Sequence, residues 1–547
     1  MTGFSSAVER GWLWASAQPI RARCILVGLC LLLFLPWFAS FPVTDRDEAL
    51  FAQSSRQMAE TGDILRIRFL DEARNKKPVG IYWLQAAAVT LTTGPAGGAI
   101  WPYRLPSLIG AILAVLLTHA IALRLMPREA ALGAGAILAA SFVLAGEARL
   151  AKTDAMLLAT TLGSMAVLVR AWICRPDRLS LAARVQFWGC LAAAVLLKGP
   201  IGPLVLLLTL LALGGFERRW GWAAVLARGG GPLIFAALVA PWFVAITLLE
   251  GWSFWQASVG RDLLGKVAAG QESHGLPPGS HAVALALGFW PGSALLLLAL
   301  PKLRGAFANP TTRLALAWVV PFWLVLELTP TKLLHYPLPV FPVLAMLAAE
   351  RLFSGTSVGR GWVLASMVLA LAGLGVPAAL FGLATIHGEI GSFVPLLFVG
   401  GLLCLAAFVG ALFVDRRTFA LVSILGLAAT THLATLTIAA QTHWLWPTAA
   451  IPRQIAALQL CPDSKLSVAG FLEPSIAFLS PIPVTFTDGE GVARALDANP
   501  CAIGLVEQRL LPDLVTTGVF EFGTPITGFA IGSGREVSLV LVHRSRP

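Results

Sequence analysis

Residues with the side chains of acid–base and phosphate chemistry stand in a few short segments of this chain. Asp47 and Glu48 follow the first apolar run, and Arg74, Lys76 and Lys77 come later in the same polar segment. An aspartate at a membrane boundary can accept a proton from a hydroxyl group. Lysine and arginine can bind a phosphate and stabilise it as a leaving group. Because the surroundings are apolar, these residues predict glycosyl transfer from a lipid-linked phosphosugar.

Further candidates lie beside later apolar runs. They are Asp154, Glu272, His274, Lys332 and His335. Ionisable groups at a membrane boundary are costly unless they are paired or bound, so they indicate function by default. Each also has a structural interpretation. Aspartate favours helix starts, and a lysine or histidine at this depth can simply anchor a helix at the interface.

The composition requires a membrane around these segments. Hydrophobic residues make up 57% of the 547 residues and charged residues only 13%, whereas soluble domains average about 25% charged. The formal net charge of +11 would suggest nucleic acid in a soluble protein. Here most of the excess lies in short loops between apolar runs, which argues against nucleic acid as a partner.

We predict a membrane all-α fold with about 13 transmembrane helices and a small C-terminal α/β domain. The predicted spans lie near 22–42, 104–124, 128–146, 153–174, 181–198, 200–215, 230–250, 282–302, 311–328, 334–350, 358–384, 393–414 and 418–440. With the N-terminus in the cytoplasm, every predicted inside loop carries at least two lysines or arginines, as the positive-inside rule requires. The odd number of spans places the C-terminus outside.

This topology predicts a transmembrane domain at 1–440 and an extracytoplasmic α/β domain at 441–547. Two outside loops are long: 43–103, and a Gly- and Pro-rich loop at 251–281 that we interpret as a lid. In the tail, the pattern predicts a helix start near 452–460 and strands at 466–469 and 502–506. A closing hairpin is predicted from 526–531 and 537–542. Cys461 and Cys501 could pair in an oxidising compartment.

The segments together resemble the GT-C membrane glycosyltransferases, and most closely the lipid A aminoarabinose transferases and the related protein O-mannosyltransferases. The resemblance rests on Asp47-Glu48 after the first span, Lys77-Pro78 in the first outside loop and Thr153-Asp154 at the fourth span. It covers 20–350 most strongly. It implies transfer of a sugar from a polyprenyl monophosphate, commonly with inversion.

By this resemblance, Asp47 corresponds to the catalytic carboxylate, Asp154 to a second acidic residue of the cavity, and Lys77 to the lysine that contacts the carrier phosphate. Leu50 stands where the aminoarabinose transferases often have arginine, and Lys76 stands where they have a metal-binding glutamate. We therefore predict no required cofactor and assign no metal ligand, although Glu272, His274 and His281 could ligate a divalent ion.

The leading hypothesis is an inverting glycosyltransferase of the bacterial inner membrane, acting on the periplasmic face. We predict catalytic roles for Asp47, Asp154 and Glu48, donor-phosphate binding by Lys77, Arg74, Lys76 and Lys332, and acceptor or lid roles for Glu272, His274 and His335. The expected partners are a polyprenyl-phosphate sugar, membrane lipids and a lipid A or other envelope acceptor, and we expect a monomer.

Two alternatives stay open. A lipid or sugar transporter would carry charges near the bilayer midplane, often on broken helices in repeated halves. This chain carries few charges in mid-span and shows no internal repeat, which favours the enzyme. A protein O-glycosyltransferase of the same fold would use the same donor chemistry on a protein hydroxyl.

Overall fold

The computed structural model describes residues 2–44, 46–265, 276–300, 307, 309–354, 359–387, 394–458, 461–514 and 519–544. Most of the described residues are helical. The helices before the C-terminal domain are Thr2–Ser16, Pro19–Phe34, Asp47–Thr61, Gly80–Leu91, Trp101–Ala122, Arg128–Ala139, Phe142–Glu147, Asp154–Cys174, Leu181–Lys198, Ile201–Glu217, Gly221–Ala227, Gly231–Glu250, Trp252–Trp255, the π-helical Gln256–Leu264, Ser280–Gly288, Gly292–Ala299, Pro310–Leu328, Phe341–Phe353, Arg360–Ala372, Gly375–Ile386, Val394–Phe413 and Arg417–Gln441.

The length and apolarity of these helices confirm a multi-pass membrane protein. Among the described residues, 8 helices are long and apolar enough to cross a bilayer, or up to 10 if each of two sharply bent helix pairs forms one span. The predicted spans near 128–146, 200–215 and 334–350 correspond to shorter helices. The total of 13 spans therefore stays a prediction.

Two of the shorter helices are buried inside the bundle. Arg128–Ala139 is buried from Ala130 onwards, and it packs against Phe341–Phe353, which is also largely buried. Small residues such as alanine and glycine let helix backbones approach closely within a membrane bundle. These helices therefore form the interior, and longer helices shield them from lipid.

Two glycines permit the close helix crossings that bring the polar segments together. A Cβ added at Gly110 would lie 2.7 Å from the backbone of the Asp154–Cys174 helix. A Cβ added at Gly80 would lie 2.8 Å from the backbone of the Leu181–Lys198 helix. Any larger residue at either position would force the helices apart, so these crossings set the spacing of the charged helix ends.

The segment 43–103, predicted to lie outside, forms a small layer of its own. It contains the helices Asp47–Thr61 and Gly80–Leu91, with strands β1 (Arg68–Phe69) and β2 (Glu72–Ala73) paired antiparallel between them. The two helices pack together, and the buried Ser55 hydroxyl donates to Gln85 Oε1 at 2.8 Å. This layer carries several of the predicted site residues.

The C-terminal part is a mixed sheet with short helices, as predicted for the tail. Its strands are β3 (Leu466–Ala469), β4 (Val484–Phe486), β5 (Ile503–Glu507), β6 (Phe520–Phe522), β7 (Ile526–Ala530) and β8 (Arg535–Arg544). β3 is parallel to β4 and β5, whereas β8 is antiparallel to β5, β6 and β7. The predicted closing hairpin is β7–β8. The helices are Ile451–Ala456, Pro474–Leu479 and Gly489–Ala498.

This domain rests on the segment 43–103. The helix Pro474–Leu479 packs against Asp47–Thr61. Arg56 donates to the carbonyl oxygen of Phe478 at 2.9 Å, and its guanidinium lies 4.2 Å from the centroid of the Phe478 ring. Tyr103 meets Phe478 edge to face, with the ring centroids 5.5 Å apart. The C-terminal domain therefore braces the helix that begins at Asp47.

A disulfide joins Cys461 to Cys501 across 40 residues of sequence. Closing a loop of this length removes entropy from the unfolded chain worth about 3–4 kcal/mol. We expect Cys501→Ser to lower the unfolding temperature of the C-terminal domain and to make that temperature insensitive to dithiothreitol. Cys174→Ser, at an exposed free cysteine, is the control. An unchanged unfolding temperature in Cys501→Ser would contradict a stabilising disulfide.

Candidate active site

Asp47 is the first residue of the helix Asp47–Thr61, and its side chain is exposed. The positive end of the helix dipole favours a carboxylate there. Arg46, directly before it, has a φ of 62°, which is uncommon for a residue with a Cβ. Gly532 of the β7–β8 turn lies against Arg46, since a Cβ on this glycine would come 2.7 Å from Arg46 Nε. The chain thus turns sharply at Arg46, beside the β7–β8 turn, and the exposed Asp47 follows as the first residue of the helix.

Glu48, in contrast, is fully buried and paired with Arg104. Arg104 Nε and Nη2 donate to its two carboxylate oxygens at 2.8 and 3.0 Å. The backbone amide and hydroxyl of Thr44 and the amide of Ala151 also donate to this carboxylate. Burial alone would raise the pKa of Glu48, but Arg104 and the backbone amides outweigh it and hold the pKa below its ordinary value.

The pair Glu48–Arg104 ties three segments together. Arg104 also donates to the carbonyl oxygens of Phe38 and Phe41 at the end of the first predicted span. Because Ala151 belongs to the loop before Asp154, the same carboxylate connects the segment 43–103 to that loop. Glu48 therefore fixes the position of the backbone around Asp47.

Asp154 lies at the centre of a second charged group. It begins the helix Asp154–Cys174, and Lys198 Nζ donates to its Oδ1 at 2.6 Å. His335 Nε2 lies 3.8 Å from the same oxygen, and the Thr153 hydroxyl lies 3.4 Å from Oδ2. The structure thus brings together the predicted residues Asp154 and His335. Lys198, the last residue of the helix Leu181–Lys198, joins them through its contact with Asp154.

Lys152 connects this group to Asp47 electrostatically. Its ammonium donates to Glu147 Oε1 at 3.0 Å. Burial alone would lower the pKa of Lys152, but the negative charges of Glu147, Asp154 and Asp47 raise it above its ordinary value. Lys152 is therefore a positive charge that both predicted catalytic aspartates stabilise electrostatically.

Lys77 is held by a carboxylate that sequence reasoning did not single out. Its Nζ lies 2.5 Å from Oδ2 of Asp262, with the two side chains 21% and 12% exposed. Asp262 belongs to the π-helical segment Gln256–Leu264, within the loop 251–281 that we predicted as a lid. This ion pair joins that loop to the segment 43–103.

Arg74 and Tyr82 complete this side of the site. Arg74 Nε donates to the Tyr82 hydroxyl at 3.1 Å, and its guanidinium lies 5.2 Å from the ring of Phe51. Burial raises the pKa of Tyr82. Arg74 opposes this rise in pKa, whereas Asp47 and Asp262 add to it. Both carboxylates therefore act on the same phenol.

The two other predicted phosphate-binding lysines are placed differently. Lys76 is exposed. Lys332 is buried, donates to the carbonyl oxygens of Leu326 and Glu327 at 2.7 and 2.9 Å, and lies 3.5 Å from Glu327 Oε2. Lys332 is thus bound to the end of the helix Pro310–Leu328. Its role towards the phosphate stays a prediction.

Two predicted acceptor or lid residues, Glu272 and His274, lie outside the described residues. His281, the third candidate ligand, is buried, with Nδ1 3.8 Å from Glu327 Oε1. Over the part of the chain that the structure describes, no group of three histidine, cysteine or acidic side chains could hold a metal ion.

Sequence reasoning missed Arg104, Tyr82 and Asp262. A signal existed for Arg104, because an arginine within an apolar helix needs a buried partner. Asp262 gave no local signal, since its partner Lys77 is 185 residues away.

Comparison with known proteins covers the segments that carry this candidate site. Residues 45–253 match the family model described as dolichyl-phosphate-mannose-protein mannosyltransferase. The predicted family resemblance is confirmed. The matched region begins with the segment of Asp47 and contains Lys77, Asp154 and Lys198.

Curated proteins also match this chain. The undecaprenyl phosphate-alpha-4-amino-4-deoxy-L-arabinose arabinosyl transferase of Aeromonas salmonicida is 30% identical over 325 residues, 58% of this chain and 58% of that protein. The protein of the same name from Pectobacterium carotovorum is 28% identical over 384 residues, 65% of this chain and 66% of its own length. The chain therefore matches less than two thirds of the length of these relatives.

Solved structures establish the fold over almost the whole chain. ArnT from Cupriavidus metallidurans in the apo state matches with a TM-score of 0.76 and 19% identity, covering 95% of this chain and 97% of that one. The structure of the same protein bound to undecaprenyl phosphate matches with a TM-score of 0.73, also at 19% identity, covering 94% and 97% of the two chains. The fold of this chain is thus ArnT-like.

Proposed function

We propose that this chain is an inverting glycosyltransferase that moves a sugar from undecaprenyl phosphate to lipid A or another envelope acceptor. The observation that carries the proposal is that the Glu48 carboxylate, next to Asp47, accepts from the amide of Ala151 in the loop that leads to Asp154, within an ArnT-like fold. The names of the curated relatives support undecaprenyl phosphate and 4-amino-4-deoxyarabinose as the donor.

In the proposed reaction, Asp47 accepts the proton of the acceptor nucleophile. That nucleophile attacks the anomeric carbon, and the bond from this carbon to the phosphate oxygen breaks with its electron pair going to the phosphate. Attack opposite the leaving group inverts the anomeric centre. Lys77 and Arg74 neutralise the charge that the departing lipid phosphate gains. Lys76 and Lys332 add positive charge on this face.

We assign positioning roles to the buried groups around these residues. Glu48 and Arg104 hold the backbone at Asp47, because both oxygens of the carboxylate already accept from protein donors. Lys198 and His335 hold Asp154, which we propose orients the acceptor. A carboxylate fixed by partners of this kind keeps its geometry without reorganising during the reaction.

The proposed setting is the periplasmic face of the bacterial inner membrane, with 13 spans, a cytoplasmic N-terminus and the C-terminal domain outside. The disulfide Cys461–Cys501 supports this orientation, because disulfides persist in the periplasm and are rare in the cytosol. The loops that carry the proposed site then lie on the side of the membrane that holds envelope acceptors.

Lys77→Ala tests the proposed donor contact. A hydrogen bond between charged groups contributes about 1.5–3 kcal/mol, so we expect the KM for the donor to rise by about 10–100-fold. Steady-state kinetics with a labelled undecaprenyl-phosphate sugar measure this change.

The matched control for Lys77→Ala is Arg68→Ala, which removes an exposed cation from the same outside loop. We expect its KM to stay close to that of the parent chain. Equal effects of the two substitutions would mean that only the overall charge of the loop matters, and Lys77 would lose its assigned role.

A further inference from the structure

Among the described residues, two ion pairs connect the segment 43–103 to the end of the helix Gly231–Glu250 and to the start of the long loop 251–281 that follows it. Arg66 Nε lies 3.4 Å from Glu250 Oε1, and Lys77 Nζ lies 2.5 Å from Asp262 Oδ2. The Arg66 side chain is 37% exposed, whereas both members of the Lys77–Asp262 pair are mostly buried. Only the second pair involves a proposed substrate-binding residue. Both ion pairs therefore hold separate segments together, but only the Lys77–Asp262 pair lies in the proposed substrate site.

Asp262 lies within the electrostatic reach of the site. It acts on Tyr82 together with Asp47, and Tyr82 accepts from Arg74. The carboxylate thus stands among the cations that we assign to the donor phosphate. A carboxylate and a phosphate present similar oxygen acceptors to an ammonium group.

We propose that Asp262 is a positioning residue that holds the Lys77 ammonium at the donor-phosphate position and is exchanged for that phosphate on binding. The inference rests on the proposed function, which assigns Lys77 to the phosphate. A phosphate and a carboxylate on one partly buried lysine repel each other, because the medium between them screens charge weakly. Occupancy by the phosphate therefore requires the carboxylate to move away.

The exchange has consequences for both substrate and product. A ligand that must displace an internal partner binds more weakly than it would bind to an open site. Its apparent affinity is the intrinsic affinity multiplied by the fraction of molecules in which the site is open. After transfer, the lipid phosphate carries an additional negative charge and binds Lys77 more tightly than the donor does. The return of Asp262 to Lys77 then favours release of the product.

The test is the dissociation constant of undecaprenyl phosphate for the purified full-length protein in detergent, measured by microscale thermophoresis. We expect Asp262→Asn, which removes the competing charge, to tighten binding by about tenfold. Asp262→Glu keeps the charge and is expected to bind like the parent chain. Glu250→Gln breaks the Arg66–Glu250 ion pair and is expected to leave the dissociation constant unchanged.

If the ion pair were merely structural, Asp262→Asn would leave the binding of undecaprenyl phosphate unchanged or weaken it. Unchanged or weaker binding in Asp262→Asn would overturn the exchange, as would equal tightening in Glu250→Gln. If Asp262→Asn does not fold, Asp262→Ala removes the same charge and is judged by the same criteria. If the parent chain itself fails to bind undecaprenyl phosphate, the proposed function fails and the exchange fails with it. Binding by the parent chain without tightening in the variant overturns the exchange alone.

Discussion

Replacing Asp47 with asparagine is expected to lower kcat by about 1,000-fold, the size typical of losing a general base. Asparagine has nearly the same shape but cannot accept the proton of the acceptor. Because the Asp47 side chain is exposed at the start of its helix, we expect the unfolding temperature and the binding of undecaprenyl phosphate to stay close to those of the parent chain. A transfer assay with a radiolabelled sugar measures the loss.

The matched control for this substitution is Asp71→Asn, which removes an exposed carboxylate from the turn between β1 and β2. We expect nearly full activity from it. Comparable activity in Asp47→Asn and Asp71→Asn would remove Asp47 from the mechanism and leave Asp154 as the candidate base.

Breaking the Glu48–Arg104 pair is expected to cause the largest loss of stability. Removing one partner of a buried ion pair leaves an uncompensated charge and costs about 3–5 kcal/mol. In Arg104→Met the Glu48 carboxylate loses two of its donors while it remains fully buried. We expect a markedly lower unfolding temperature in detergent and little folded protein after size-exclusion chromatography.

The combined variant Glu48→Gln and Arg104→Met separates charge from packing. It removes both buried charges, so we expect it to recover part of the stability lost in Arg104→Met alone. A double variant as unstable as the sum of its single substitutions would show that the two residues act independently. That result would contradict the assignment of Glu48 as an organiser of the backbone around Asp47.

Features encoded in nearby residues were predictable from the sequence. The strands β3 and β5 are short apolar runs, and the turn between β7 and β8 carries Gly532 and Gly534, so local pattern sufficed to locate them. Hydropathy located the long spans for the same reason. The helices within 128–146 and 334–350 are shorter than the predicted spans, and both are largely buried in the bundle interior.

Features that depend on distant partners were less accessible. The sequence placed Glu48 beside Asp47 as a second catalytic carboxylate, but its partner Arg104 is 56 residues away and fixes it in the interior. The predicted topology grouped Lys332 with Lys77. In the structure, Lys332 donates to carbonyl oxygens at the end of the helix Pro310–Leu328. The charged residues themselves were readable from the sequence, whereas the pairing of their charges required the fold.

The most direct test of the proposed function is the transfer reaction itself. Purified full-length protein would be incubated with undecaprenyl phosphate carrying each of a panel of labelled sugars, 4-amino-4-deoxyarabinose among them, together with lipid A and total envelope lipid. We predict that label from one of these donors moves to the acceptor lipid and that one undecaprenyl phosphate is released for each sugar transferred. Tight binding of the donors without label on any acceptor would contradict glycosyl transfer and would leave the likeness to the transferases as one of fold alone.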